Sequence, residues 1–195
     1  MKLLWIVLLL ALPSLPSCTK VEKAEKVESK KVVAEKFDRS TWEHWIDEDK
    51  DCQDLRAEIL IATSQTPVTY RKAKGCVVAT GRWYGEYTGL IYDSASKVDI
   101  DHVVPLKHAH DHGGFKWSLE QKRKFANDQF NLLAVQSTAN RQKSAQGPHE
   151  WMPPLKAYGC AYLERWAAIK KLYKLKVGKE EKKFIREYNK GCAKP

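Results

Sequence analysis

The sequence predicts an α+β domain stapled by disulfides, and three observations carry that reading. Short β-rich segments cluster in the middle of the chain, while stretches with apolar residues at helical spacing lie on both sides of them. Four cysteines at positions 52, 76, 160 and 192 are spread through the same region. The region itself, 37–195, is long enough for one domain with a real core.

Two segments precede that domain. Residues 1–18 begin with Lys2 and an apolar run from Leu3 to Leu12, followed by Leu-Pro-Ser-Leu-Pro-Ser-Cys. That order is the one a secretory signal shows, and the run is too short to remain as a membrane-spanning helix. Leu15-Pro16-Ser17-Cys18 resembles a bacterial lipobox, in which Cys18 would be acylated after cleavage. The plainer alternative is an ordinary signal cleaved near Ser17. Under the first reading the protein is anchored by lipid to the cell envelope, facing the periplasm or the cell surface. Under the second it is secreted free. Residues 19–36 hold six lysines and four glutamates with no aromatic ring, so they read as a solvated tether, with a fluctuating helix as the alternative.

The chain carries 34 Lys+Arg and 24 Asp+Glu, a net charge of +10. Within 37–195 the balance is 27 basic to 20 acidic, or +7. A surface of that sign favours polyanions, whether nucleic acid, anionic lipid or lipopolysaccharide, and charge alone does not choose among them. Five cysteines is an odd number for an exported protein, and lipid on Cys18 would account for the fifth. The other four are then free to form two disulfides. Pairing by proximity in sequence gives Cys52–Cys76 and Cys160–Cys192, one of three connectivities. A zinc site is the rival, although no Cys-x-x-Cys knuckle occurs.

Along the domain, Asp51 to Ala62 places Leu55, Ile59 and Ala62 on one helical face and stops at the Ser64–Pro67 turn. Segments 76–80 and 87–92 read as strands, with 98–104 as a third extended stretch. Residues 118–127 read as a helix capped by Ser118, with Gln121 at the capping-box position. A short strand is expected over 131–136, and helices over 137–143, 160–173 and 179–189. The tryptophans at 42, 45, 117, 151 and 166 are core candidates first and base-stacking platforms second.

Chemistry concentrates in Val98-Asp-Ile-Asp-His-Val-Val-Pro-Leu106. Strand alternation puts Asp99 and Asp101 on one face, with Ile100 and His102 nearer the other. Two carboxylates and an imidazole at a strand end invite a divalent cation. Downstream, Asn131 opens a strand and Asn140 lies in the following helix, where its amide oxygen would be a hard, neutral ligand. Each residue also has a plainer reading: His102 as a hydrogen-bonded structural histidine, the aspartates as a turn or calcium clip. Arg56 reaches either a phosphate or, with Glu58, a structural ion pair; Arg141 and Lys143 touch a nucleic-acid backbone or are merely solvated. His108, His110 and His112 read as a polar helix end or loop without catalytic role.

Asp-x-Asp-His-x-x-Pro, then Asn-Leu-Leu-Ala-Val, then Asn-x-x-Lys resembles the HNH endonuclease superfamily with its ββα-metal fold. More narrowly, the stretch from Phe37 resembles exported bacterial HNH-family proteins related to the C-terminal domain of GmrSD-type nucleases. The landmarks are Cys52-x-Asp-x-Arg-x-Glu58, Cys76-Val-Val, Gly81-x-Trp83, Tyr87-Thr-Gly89, Asp99 to Leu106, Phe125-Ala-Asn-Asp128, Asn131 to Val135 and Trp151-Met-Pro-Pro154. The resemblance implies a small ββα-metal unit embedded in surrounding helices. It also implies an endonuclease that hydrolyses DNA, and RNA as an open alternative, to a 5′-phosphate and a 3′-hydroxyl. His102 would be the general base and Asn131 would orient it. Asp101 and Asn140 would hold a single divalent ion, Mg2+ or Mn2+, with Asp99 and Arg56 assisting. Arg141 and Lys143 would lie on the nucleic-acid backbone. No obligate protein partner is evident, and the rival class is a noncatalytic nucleic-acid-binding or envelope-associated lipoprotein.

Overall fold

A computed structural model describes residues 35–192 of the chain. The predicted signal peptide, Cys18 and the tether up to residue 34 lie outside the described residues. The body starts slightly before the expected boundary: Glu35 offers its carbonyl to His110 Nε2 at 2.6 Å, and the Phe37 ring packs 5.5 Å from the same imidazole.

Helix α1 runs Leu55–Thr63, and its start is set by Asp54, whose side chain accepts from the Ala57 N–H. Three antiparallel strands follow or flank one another, β1 (Thr69–Tyr70), β2 (Val78–Gly85) and β3 (Leu90–Ser94), in the order β1-β2-β3. β2 begins two residues later than the sequence suggests, and its turn into β3 closes at Gly89, whose φ of +72° is one that other residues rarely adopt.

Strand β4 (Val98–His102) pairs antiparallel with β5 (Leu132–Gln136) in a separate two-stranded ribbon, with Ile100 opposite Ala134 and His102 opposite Leu132. Two helices are inserted between these strands, α2 (Leu106–Asp111) and α3 (Leu119–Ala126), the latter with the expected Ser118–Gln121 capping box. α2 carries the histidines read as a polar helix end or loop, and the difference from that reading is their burial. The histidine-rich stretch after Pro105 is helical because His108, Ala109 and His110 are buried rather than solvated. Helix α4 (Ser137–Lys143) follows β5 directly, completing a strand–strand–helix unit. α5 (Gly159–Leu172) and α6 (Lys179–Tyr188) close the domain.

The ribbon lies between two apolar cores. Ile100, Leu132 and Ala134 join Leu60, Val78 and Trp83 beneath α1. Val135 and Ala139 join a larger, aromatic cluster with Trp42, Tyr87, Phe125, Tyr162 and Trp166. Trp42, Trp83 and Trp166 are core residues, as their size demands, and truncating one to alanine costs about 3–5 kcal/mol. Both expected disulfides form: Cys52–Cys76 ties the segment before α1 to the start of β2, and Cys160–Cys192 ties α5 to the chain after α6.

Candidate active site

Alternation along β4 separates two sets of groups. Ile100 pairs with Ala134 on the α1 side, and Asp99 and Asp101 pair with Val135 and Leu133 on the α4 side. His102, the last residue of the strand, leaves on the α1 side.

His102 is only 6% exposed, and its Nε2–H donates to the Ala126 carbonyl at 2.8 Å. Trp45 and His44 stand against the ring, at centroid distances of 5.7 and 6.3 Å. Burial pushes its pKa down to about 3; the Ala126 carbonyl opposes this, while His44, Arg39 and Lys143 add to it. The imidazole is therefore neutral at pH 7. With Nε2 committed as a donor, Nδ1 carries the lone pair, and among the described residues it has no hydrogen-bond partner.

Asn131 is fully buried and holds the chain just beyond this histidine. Its Oδ1 accepts from the Val104 N–H at 2.8 Å, its Nδ2 donates to the Val104 carbonyl at 3.1 Å, and its own carbonyl accepts from the Val103 N–H. The amide thus closes the strand end as a backbone clamp.

On the α4 side the arrangement differs from expectation. Asp101 Oδ2 accepts from the Tyr87 hydroxyl at 2.7 Å and from Lys143 Nζ at 2.9 Å, while Oδ1 lies 3.2 Å from the same ammonium. Both Asp101 oxygens are thus engaged by Tyr87 and Lys143. Lys143, expected on a nucleic-acid backbone, is wholly buried, and it donates also to the His102 carbonyl at 2.8 Å. Burial pushes the carboxyl up and the ammonium down, and each is held charged by the other. Asn140 meets Asp99 instead, its Nδ2 donating to Asp99 Oδ2 at 3.1 Å. Among the described residues this leaves Asp99 Oδ1 and Asn140 Oδ1 without protein donors. As hard oxygens on half-buried side chains they suit a divalent cation. Asp101 and Asn140 thus make their side-chain contacts with different partners, Lys143 and Asp99.

Arg56 is likewise spent on structure. Its guanidinium donates to the Ala95 and Val98 carbonyls at 3.2 and 3.0 Å, fixing the approach to β4, and it pairs with no Glu58. Arg141 is exposed on α4, where a polyanion can reach it. The α2 histidines sit in a different network. Lys170 Nζ donates to His108 Nε2 at 3.1 Å and lies 2.7 Å from Glu181, with His112 beside both. His108, His112 and Glu181 come within metal-ligating distance of one another, yet the Lys170 ammonium already supplies their positive charge.

Sequence reasoning missed the wall around His102. His44 Nδ1 donates to the Trp42 carbonyl at 2.7 Å, and Arg39 donates to His44 Nε2 at 3.2 Å, so a guanidinium stands near the candidate base. A groove of about 1120 Å3 is lined in part by Ile46, Trp117, Arg123, Lys124 and Tyr173. Its Asn127 follows Ala126 directly in the chain. Only the Trp42–Trp45 aromatic cluster hinted at this wall; no spacing rule links residues 39–45 to 102.

A neutral, pinned imidazole with one free nitrogen, set at the end of a strand–strand–helix unit, is equipment for taking a proton from water, as hydrolases do. The chain belongs to the family described as "GmrSD restriction endonucleases, C-terminal domain", whose model matches residues 54–188, and its class of function is therefore nuclease-type. An "Uncharacterized secreted protein" of Arthroderma benhamiae (strain ATCC MYA-4681 / CBS 112371) is 35% identical over 158 residues, covering 80% of this chain and 76% of that relative. That relative is fungal, whereas the sequence landmarks had pointed to exported bacterial proteins. No solved structure matches the chain.

Proposed function

We propose that this protein is a metal-dependent, HNH-type endonuclease that hydrolyses phosphodiester bonds of DNA, and of RNA where it is accessible, outside the cytoplasm. The observation that carries the reading is the state of His102: neutral, with Nε2–H fixed on the Ala126 carbonyl and Nδ1 left as an acceptor. Nδ1 would take the proton of the attacking water. The imidazolium so formed keeps its Nε2–H bond to a carbonyl, and a neighbouring phosphodiester would supply the negative charge that burial denies it. Lys143 and Asn131 hold the backbone that leaves the base, at the His102 carbonyl and at Val104.

Asp99 and Asn140 are the residues that would hold the ion, Mg2+ or Mn2+, with Asp101 kept as the internal counter-ion of Lys143. Such an ion, when bound, neutralises the phosphodiester charge and stabilises the leaving 3′ oxygen. Arg141 and Arg39 would contact the nucleic-acid backbone, and the groove beside Asn127 would take an adjoining nucleotide. Export fits the two disulfides, the signal-like segment 1–18 and the secreted relative. Acylation of Cys18 would keep a bacterial form of the protein on its envelope.

Incubating the purified chain with supercoiled plasmid and with single-stranded RNA, with and without EDTA, tests the reading. Nicking that EDTA abolishes and Mg2+ or Mn2+ restores is the expected result. Binding without cleavage by the metal-loaded protein would overturn it in favour of a noncatalytic nucleic-acid-binding protein.

A further inference from the structure

We infer that Arg39 and His102 face one phosphate group between them, and that His44 is the positioning residue that holds Arg39 in that subsite. That this phosphate is the one being cleaved rests on the reading of His102 as the base.

Arg39 opens a short helical turn (Arg39–Thr41) and is exposed. Three carboxylates stand close to it in sequence, and each is engaged elsewhere. Asp38 accepts from the Ser40 N–H and hydroxyl at 2.9 and 2.7 Å, and Glu43 and Glu48 lie 3.6 and 3.4 Å from Arg123. Among the described residues Arg39 forms no ion pair, and its side chain touches only His44 Nε2, at 3.2 Å. Nδ1 of that ring donates to the Trp42 carbonyl at 2.7 Å, which leaves Nε2 as the acceptor. One N–H of the guanidinium is thereby spent on orientation. The others find no acceptor among the described residues.

An exposed arginine beside a histidine means little by itself. What counts is the framework behind the pair. Residues Trp42 to Ile46 form neither helix nor strand, yet three of their five carbonyls are tied: Trp42 to His44 Nδ1, Glu43 to Asn127 Nδ2 at 2.8 Å, and Ile46 to the Leu55 N–H at 2.9 Å. Trp42 roots the segment in the aromatic core. Trp45 has a φ of +59°, which a bulky residue keeps only where its surroundings impose it. Its indole packs 5.7 Å from the His102 ring, and the His44 ring stands 6.3 Å from the same imidazole. Residues 126 and 127 join the two sides. The Ala126 carbonyl accepts from His102 Nε2–H, and Asn127 donates to the Glu43 carbonyl. Two consecutive residues thus fix both the candidate base and the segment that carries His44. The charge of Arg39 is felt at His102, whose pKa it helps to lower.

An uncompensated guanidinium on a rigid mount beside a proton acceptor suits an anion with two oxygens to offer. Its planar fork of N–H groups matches the non-bridging oxygens of a phosphodiester. In the hydrolytic step the water oxygen bonds to phosphorus and gives its proton to His102 Nδ1. The P–O3′ bond breaks, and the 3′ oxygen leaves with the bonding pair and is protonated by solvent. Donors already aimed at the non-bridging oxygens stabilise the transition state without reorganising. Arg39 therefore acts on the reacting group, beyond a contact to the neighbouring backbone.

One measurement needs no cleavage. The isotope-labelled full chain is titrated with inorganic phosphate in EDTA, and the Arg39 Nε–H and His102 ring signals are followed by NMR. Both should move together with a dissociation constant on the order of 1–10 mM, larger in His44→Ala, and the His102 response should vanish in Arg39→Ala. The second measurement is cleavage with Mg2+, on variants whose circular dichroism is unchanged. Arg39→Ala should lose about 10²- to 10³-fold in kcat with DNA affinity within a few-fold, and free guanidinium should restore part of the rate. His44→Ala should lose about tenfold, His44→Gln, which keeps an acceptor for Arg39, less, and adding His44→Ala to Arg39→Ala should cost nothing more. A wild-type chain that answers to phosphate in this way but cleaves nothing supports the subsite and sinks the nuclease reading alone. Silence of either signal at about 50 mM phosphate would overturn the subsite. Wild-type kcat in Arg39→Ala, or losses in the two single variants that multiply in the double, would overturn the roles given to Arg39 and His44.

Discussion

The ammonium of Lys143 lies 2.9 Å from Asp101 Oδ2, and both groups are buried beneath the end of β4. Desolvating two charges is expensive, and here it is offset by four contacts: two to the carboxylate, one from Tyr87, and one to the His102 carbonyl. The pair ties Asp101 and the His102 carbonyl to one ammonium at the end of the strand that carries the candidate base.

Removing one partner leaves the other charge buried and alone. Lys143→Met should therefore lower stability by about 3–5 kcal/mol, read as a shift of the urea midpoint. Lys143→Met with Asp101→Leu should recover much of that loss, because no buried charge remains. A Lys143→Met protein as stable as wild type would show that the ammonium is dispensable.

The two aspartates of β4 should separate by function. Asp99→Ala touches a half-buried residue whose side chain, among the described residues, bonds only to Asn140, so it should fold normally and lose about 10- to 100-fold or more in Mg2+-dependent cleavage. Asp101→Ala should be read first as a folding defect, by thermal melting. Equal stability in both variants, with activity lost only in Asp101→Ala, would return the ion to Asp101.

Stability should fall on mild acidification, through His108. Burial, and next the Lys170 ammonium, push its pKa down to about 2, whereas in the unfolded chain it titrates near the ordinary 6.5. Below about pH 6.5 the unfolded state takes a proton that the folded state refuses, so its contribution is present above that pH and is lost as pH falls toward 2. The loss is about 1.4 kcal/mol per pH unit. His102 adds a parallel slope, so the measurement is the difference between wild type and His108→Gln in urea melts at pH 7, 6 and 5. The variant's slope should be shallower by one proton.

Much of the fold was legible because local rules governed it. Ser118 and Gln121 gave the start of α3, Ser137–Lys143 had no breaker, and the disulfides joined neighbours in sequence. β4 was legible from its Asp-Ile-Asp alternation. The exceptions are long-range. Nothing local tells that Lys170 and Glu181 will bury His108 and so make a helix of a histidine-rich stretch. Lys143 read as a solvated or phosphate-binding lysine because its partner, Asp101, lies 42 residues away. For the same reason nothing local tells that Asn140 donates to Asp99, 41 residues away. His102 was legible; the Arg39–His44–Trp45 wall that shields it was not, since it comes from an irregular segment with no periodicity.

The most direct measurement is plasmid cleavage by His102→Ala beside wild type, at pH 7.5 with Mg2+, with DNA affinity measured on the same preparations. Loss of a positioned general base should cut the rate by about 10²- to 10⁴-fold while leaving affinity within a few-fold. Wild-type cleavage by a folded His102→Ala protein would contradict the assignment of the base.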